Sequence, residues 1–152
     1  MSCGIRKKGN KDTQKHDWIV DKFYYFMLTG EMEFTPQMIN NAESLFNGNL
    51  NVTLRNLENA KKLGRGFHDI EPFYNYKVYP QNGEIDIIGF RDYSIIGIEV
   101  KLNGMDGVKK QIKRFHDFAG SKYPEKLAET YYFSAKNGLY LVERDADPIP
   151  II

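Results

Sequence analysis

Residues 94–102 are the most strongly apolar short stretch of the chain, reading Ser-Ile-Ile-Gly-Ile-Glu-Val-Lys-Leu. A run this short, between turn residues 91–93 and Asn103-Gly104, is typical of a central strand that is covered on both faces. Such a strand needs partner strands beside it and other layers over its faces. The chain is therefore expected to fold in layers around a β-sheet.

The segments before this strand divide into a helical half and a sheet half. Helices are predicted at 17–28, 35–46 and 52–63, and Thr35-Pro36 is a strong helix start because Thr can cap and Pro suits the first helical position. Strands are predicted at 73–79 and 84–90, where apolar and polar residues alternate. The residues Pro80-Gln81-Asn82-Gly83 between them predict a hairpin turn, since Asn-Gly favours a tight turn.

The segments after the central strand predict a helix at 105–119 and two strands at 129–135 and 138–142. The helix would be the crossover that links two strands of one sheet. We therefore expect an α/β fold with a mixed central β-sheet flanked by helices and an extra helical N-terminal segment. The expected organisation is a flexible basic arm at 1–15 and a single domain at 16–152, with a helical part at 16–66, a sheet core at 67–145 and a tail from 147.

Cysteine content and hydropathy indicate an intracellular protein with no membrane association. The chain has 152 residues and one cysteine, which excludes an internal disulfide framework and a cysteine-rich zinc site. No apolar run approaches the ~20 residues that a membrane-spanning helix needs. The first residues also lack the apolar core of a signal peptide.

Total charge does not identify a nucleic-acid-binding protein, because the formal net charge is only +1. The distribution says more, since basic residues cluster in the N-terminal arm and on the helix predicted at 105–119. Clustered positive charge can follow a phosphate backbone even when the total is balanced, and an ordinary solvated surface is an equal alternative. The candidate phosphate contacts on the helix are Lys109, Lys110, Lys113 and Arg114.

Two acidic residues and one lysine lie inside the apolar strands at 84–90 and 94–102. Residues two apart in a strand share a face, so Glu99 and Lys101 point the same way, and a hairpin can place Asp86 beside Glu99. Like charges on an apolar sheet repel, and burying either one is costly. A Mg²⁺ ion would relieve this conflict, because it binds through one or two carboxylates together with waters and substrate phosphates. A bound metal can polarise a phosphoryl oxygen, and Lys101 can hold the attacking water.

This pattern resembles the PD-(D/E)XK motif of restriction-endonuclease-like nucleases. Asp86, twelve residues, Glu99, one residue and Lys101 follow the motif, and Ile85 stands where its proline would be. The segments Gly-Glu-Ile-Asp-Ile-Ile-Gly and Ile-Glu-Val-Lys are similar in sequence to the motifs of archaeal and viral Holliday-junction resolvases. The resemblance spans about residues 70–145. It implies that Asp86 and Glu99 bind Mg²⁺ or Mn²⁺ and that Lys101 assists water attack on a DNA phosphodiester. It also implies a homodimer that acts in DNA recombination or repair.

Two further positions follow from the resemblance. Many members of the family carry another acid on a helix before the first strand, and Glu58 fits that place best as a third metal ligand, with Glu43 and Glu71 as competitors. Some members carry Gln-x-x-x-Tyr on the helix after the lysine. Gln111 matches the glutamine as a candidate catalytic residue, but Phe115 replaces the tyrosine, which weakens any link to RecB-type exonucleases. A surface role remains the alternative for both Glu58 and Gln111.

Other functions and structural roles remain open from the sequence. The enzyme could be a restriction-like or nicking endonuclease or an exonuclease, and the protein could instead be a non-catalytic DNA-binding module. The N-terminal helices could form a helix-turn-helix-like element, although a helical layer packed on the sheet is the favoured alternative. The three histidines, His16, His68 and His116, lie far apart without a metal-ligand spacing, so no zinc site is expected.

Overall fold

The computed structural model describes residues 10–78, 81–105 and 107–151. The helices are α1 (Lys11–Thr29), α2 (Pro36–Phe46), α3 (Leu50–Asn59) and α4 (Val108–Lys122), with a short 3-10 helix at Ala60–Leu63. The strands are β1 (Asp69–Val78), β2 (Gln81–Phe90), β3 (Ser94–Lys101), β4 (Leu127–Ser134), β5 (Gly138–Leu141) and β6 (Ile149–Pro150).

Within these ranges the strands form one mixed sheet in the order β1-β2-β3-β4-β5-β6. Strands β3 and β4 are parallel, with Ser94 opposite Leu127 and Lys101 opposite Ser134, and the other neighbouring pairs are antiparallel. Helix α4 is the crossover between the two parallel strands. The predicted α/β class, with a mixed sheet flanked by helices, is confirmed.

Helices cover both faces of the sheet. Apolar residues of α1, α2 and α3 share a core with Ile96, Ile98 and Val100 of β3, and the rings of Phe23 and Phe133 meet at 5.0 Å. Helix α4 packs on the opposite face, where Phe115 joins a cluster with residues of β1, β2 and β3. The N-terminal helices therefore form a layer on the sheet, as the favoured alternative predicted.

Close contact between α4 and the sheet depends on a glycine in β3. A Cβ atom added at Gly97 would lie 2.6 Å from Cδ1 of Ile85 and 2.9 Å from Cε2 of Phe115. No real Cβ atom tolerates such distances without movement of its neighbours, so the missing side chain lets the helix approach the central strand. The interruption in the apolar run thus has a packing role.

Several sequence-based boundaries differ from those of the structure. Helix α1 begins at Lys11 rather than at residue 17, because the Asn10 side chain accepts a hydrogen bond from the Thr13 amide at 2.9 Å and caps the helix. Residues 10–15 are therefore not part of a flexible arm, and residues 1–9 lie outside the described residues. The expected C-terminal tail contributes β6, which pairs with β5.

The expected hairpin turn is also displaced. Gln81, Asn82 and Gly83 belong to β2, with Gly83 opposite Tyr76 and Gln81 opposite Val78. Residues 79–80, between the two strands in sequence, lie outside the described residues. Packing explains why Gly83 is in the strand, because a Cβ atom there would lie 2.3 Å from the Tyr76 ring.

Candidate metal-binding and catalytic site

The carboxylates of Asp86 and Glu99 meet where β2 and β3 separate. Backbone pairing of the two strands runs from Phe90↔Ile95 to Ile87↔Ile98, and Asp86 and Glu99 are the next residue on each strand. Here a side chain replaces the backbone as hydrogen-bond acceptor, since Oδ2 of Asp86 accepts a hydrogen bond from the Val100 amide at 2.7 Å. The Glu99 and Asp86 side chains are also hydrogen-bonded to each other.

Both carboxyl groups are almost removed from solvent. Asp86 is 5% exposed and Glu99 is 8% exposed, whereas the side chain of Lys101 is 35% exposed. The Lys101 Nζ atom lies 3.8 Å from Oε2 of Glu99, which agrees with the expectation that alternate residues of β3 share a face. The structure therefore brings Asp86, Glu99 and Lys101 together as the sequence predicted.

The two carboxyl groups differ sharply in their affinity for a proton. Burial, and then the charge of Asp86, raises the pKa of Glu99 to about 9. Burial alone would raise the pKa of Asp86 as well, but its bonds to His16, Glu99 and Val100 hold that pKa below its ordinary value. At neutral pH the pair therefore holds one proton on Glu99, which donates it to the ionised Asp86.

His16 is a site residue that the sequence analysis missed. Its Nε2 lies 3.0 Å from Oδ1 of Asp86, and its Nδ1 lies 2.9 Å from Oδ1 of Asp17. Burial opposes a charge on the imidazole, yet the two carboxylates raise the pKa of His16 above its ordinary value. The residue lies between the flexible arm predicted at 1–15 and the helix predicted at 17–28. The helix cap at Asn10 was the available signal, because it begins α1 early enough to include His16.

A distorted backbone position in β1 shapes the surroundings of His16. Phe73 has a φ of 52°, and the β1–β2 register, which passes from Pro72↔Ile87 to Tyr74↔Ile85, places it opposite Asp86. The Phe73 ring is buried among the residues that pack with α1, and its centroid lies 6.3 Å from the imidazole of His16. Phe73 thus provides an apolar wall beside the ionisable groups.

A cleft begins next to the charged cluster. It encloses about 380 Å³, and its lining includes Lys15, Leu102, Asn103 and Lys136. Lys15 directly precedes His16, and Leu102 and Asn103 directly follow Lys101. This position is the carboxyl end of the parallel strands β3 and β4, where ligands commonly bind in open α/β sheets. Two lysines and the amide of Asn103 suit an anionic, hydrogen-bonding ligand, and the carboxylate of Asp12, 3.9 Å from Nζ of Lys15, also lines the cleft.

Glu58 and Gln111 are not joined to this cluster. Glu58 lies on α3 with half of its side chain exposed, and its Oε2 is 2.9 Å from Nζ of Lys61. Gln111 lies on α4, and among the described residues its side chain makes no hydrogen bond to Asp86 or Glu99. Within the described residues Glu58 forms no metal-binding group with Asp86 and Glu99, so the structure does not support it as the third ligand. The competitors Glu43 and Glu71 are exposed residues of α2 and β1.

The basic residues of α4 fall into two environments. Lys109, Lys110 and Lys113 are exposed, and Nζ of Lys109 lies 2.5 Å from Oδ1 of Asp147. Arg114 is partly buried and acts on Tyr76, a residue of the cluster around Phe115. Phosphate contact by these four residues stays a prediction.

The donor set can be compared with the needs of a divalent metal. Within the described residues, no group of three or more His, Cys, Asp or Glu side chains is placed to hold a metal ion. Mg²⁺ needs fewer protein ligands, because it commonly uses one or two carboxylates and keeps several waters. Two adjacent buried carboxyl groups that share a proton fit this requirement, since a cation could replace the proton.

Comparison with known proteins adds no family assignment. No family model matches this chain, and no curated protein sequence matches it. No helix among the described residues is long and apolar enough to cross a membrane.

Proposed function

We propose that this protein is a divalent-metal-dependent deoxyribonuclease that hydrolyses phosphodiester bonds, with a site of the PD-(D/E)XK type. The observation that carries the proposal is the pair of buried carboxyl groups, Asp86 and Glu99, hydrogen-bonded where two strands separate. Maintaining two acids in an apolar sheet is costly unless a cation or a proton neutralises one of them. Lys101 beside this pair and the two lysines of the adjacent cleft extend the proposal from metal binding to phosphodiester chemistry.

Each residue of the site would have a separate role in hydrolysis. Asp86 and Glu99 would hold Mg²⁺ or Mn²⁺, which when bound polarises a phosphoryl oxygen and makes a coordinated water more acidic. Lys101 would orient the attacking water and offset negative charge that develops on the phosphate. His16 keeps Asp86 ionised and fixes its orientation through the 3.0 Å contact. Lys15 and Lys136 would bind the DNA strand in the cleft beside Lys101.

The finer part of the proposal is a structure-specific endonuclease similar to a Holliday-junction resolvase. A homodimer would present two sites related by a two-fold axis, which suits symmetric cutting of a branched substrate. Light scattering during size-exclusion chromatography measures the oligomeric state. A protein that stays monomeric in the presence of junction DNA would contradict this finer part and leave the hydrolytic site in place.

The test of the function is cleavage of a panel containing a four-way junction, a flap, a duplex and a single strand, with Mg²⁺ or Mn²⁺. We expect Asp86→Asn and Glu99→Gln to reduce cleavage by about 100-fold or more, since each removes a carboxylate that would bind the metal ion. Both variants should keep most of their DNA affinity in Ca²⁺, measured by fluorescence anisotropy. Glu71→Gln is the matched control, because it removes the same charge from an exposed residue of β1.

The same experiment separates the proposal from a non-catalytic DNA-binding protein. DNA binding without metal-dependent cleavage of any substrate by the parent would favour the binding module. Equal cleavage by Asp86→Asn and the parent would refute the assignment of the site. A preference for the junction over the duplex would support the resolvase-like alternative, whereas degradation from free ends would indicate an exonuclease.

A further inference from the structure

The cleft beside the carboxylate pair is joined to the candidate site on two sides. On the helix side Lys15 lines the cleft and directly precedes His16, whose Nε2 lies 3.0 Å from Oδ1 of Asp86. On the sheet side Ala135 lines the cleft, and its amide donates a hydrogen bond to the carbonyl oxygen of Lys101 at 2.9 Å. A group bound in the cleft would therefore be a near neighbour of a phosphate held at Lys101.

Part of the cleft lining is apolar. Phe46, Val52 and Leu102 contribute to it, and Val52 is 42% exposed. Phe46 is held edge-on against Trp18, with the ring centroids 5.3 Å apart. The cleft volume of about 380 Å³ lies in the range of pockets that hold small organic ligands. Inorganic phosphate gains nothing from apolar walls, whereas a nucleobase has apolar faces that such walls can cover.

The polar groups of the cleft follow an order that matches a nucleotide. Asn49 and Thr53, near the start of α3, supply an amide and a hydroxyl. On α1, Lys15 is next to His16 and Asp12 lies about one turn further from it, with 3.9 Å between Nζ of Lys15 and Oδ1 of Asp12. Lysine binds phosphate oxygens, and aspartate accepts a hydrogen bond from the amino group of a base such as cytosine. The order along α1 therefore suits a phosphate near the carboxylate pair and a base further away.

We propose that this cleft binds one unstacked nucleotide of the strand under attack, next to the phosphodiester that is cut. The inference rests on the proposed function and narrows its substrate class. Taking a nucleotide out of a duplex requires unpairing and unstacking, and this requirement is smallest where the strand is already single. The protein should therefore act on DNA that is unpaired beside the cut, such as a flap or a single strand, in preference to a continuous duplex.

Binding of a single nucleotide tests the cleft without metal or cleavage. Deoxycytidine monophosphate, deoxyribose phosphate and inorganic phosphate are titrated separately in EDTA at equal ionic strength, with affinity measured by calorimetry. The nucleotide should bind about 10-fold more tightly than the sugar phosphate or better, since its base adds stacking and apolar contact. Trp18, the single tryptophan of the chain, lies against Phe46 of the cleft lining, so its fluorescence should change as the nucleotide binds. Equal affinities for the nucleotide and the sugar phosphate, or no binding of the nucleotide, would overturn the inference.

Val52→Glu is the decisive variant, and Leu28→Glu is its matched control. Each change places a carboxylate at an exposed apolar residue, since Val52 is 42% exposed and Leu28 is 54% exposed, but only Val52 belongs to the described lining of the cleft. Val52→Glu should lower nucleotide affinity by about 10-fold or more, because it removes apolar contact and repels the phosphate. Leu28→Glu should bind as the parent does, and both should keep the parental urea midpoint. Nucleotide affinity that Val52→Glu leaves unchanged would place the nucleotide elsewhere and refute the inference; if Val52→Glu does not fold, Lys136→Gln in the same cleft decides by the same comparison.

Cleavage provides a second measurement. The parent and Leu28→Glu should cleave a flap and a single strand with a higher kcat/KM than a blunt duplex, and Val52→Glu should lose most of that difference. If the parent cleaves no substrate, the nuclease proposal fails and the nucleotide titration still decides the cleft. If the parent cleaves a continuous duplex as readily as a single strand, the cleft inference is refuted and the hydrolytic site stands.

Discussion

Replacing Glu99 with glutamine tests the proton that the carboxyl pair holds. The pKa of Glu99 is about 9 in the folded protein and near its ordinary value of 4.5 in the unfolded chain. Between these two values the unfolded chain releases the proton and the folded protein keeps it. The free energy of unfolding should therefore fall as pH rises through this window, by about 1.4 kcal/mol per pH unit for one proton.

The expected size of the effect follows from that slope. From about pH 6 to about pH 8 the parent should lose about 2.7 kcal/mol that Glu99→Gln does not lose, because the amide has no proton to release. The amide can still donate a hydrogen bond to Asp86, so the contact between the strands is retained. The contribution of His16 to the free energy of unfolding also decreases with rising pH, since its pKa is raised in the folded protein. That contribution is present in both proteins and cancels in their difference.

The assay is urea unfolding in EDTA at several pH values between about 6 and 8, with the unfolding midpoint and slope measured for both proteins. The variant should become more stable than the parent as the pH rises. Glu71→Gln, which removes a carboxylate from an exposed position, should follow the pH dependence of the parent. Parallel curves for Glu99→Gln and the parent would refute the shared proton and, with it, the buried acidic pair.

Three further predictions concern residues around the site. His16→Ala should reduce the free energy of unfolding by about 1–3 kcal/mol near pH 6 and by less near pH 8, because the ionised Asp86 loses its imidazole partner; urea unfolding showing no loss at either pH would contradict this. Gly97→Ala should cost about 1–3 kcal/mol, since its Cβ atom would lie 2.6 Å from a side-chain carbon on β2, and an unchanged unfolding midpoint would show that the core yields without strain. Glu58→Gln should change stability by less than about 1 kcal/mol and leave cleavage unchanged, because its pair with Lys61 is exposed; a large loss of cleavage would restore it as a metal ligand.

Local patterns in the sequence determined the fold class and the centre of the site. The apolar run of β3 and the Thr35-Pro36 helix start depend on neighbouring residues alone, and the structure confirms both. Asp86 and Glu99 lie on consecutive strands, so alternation and a short connection suffice to bring their side chains together. These features could be read from the chain because each is set within a few residues or within one hairpin.

Register and packing decided the remaining features. Asn82-Gly83 has a strong local preference for a turn, yet the Tyr76 ring occupies the space above Gly83 and the pair lies in β2. Glu58 occupies a helix before the first strand as expected, but the packing of α3 turns it toward Lys61 and solvent. Helix-surface positions cannot be assigned to a site until the orientation of the helix on the sheet is known.

Contacts between distant segments completed the site, and the sequence could not reveal them. His16 reaches Asp86 because α1 packs across the sheet, and Tyr76 packs on Phe115 and Phe118 of α4 while Gly83 leaves room for its ring. Neither contact has a local signature, since each depends on the simultaneous placement of a helix and neighbouring strands. The sequence thus determined which residues could carry the chemistry at the centre, whereas tertiary packing decided which other groups surround them.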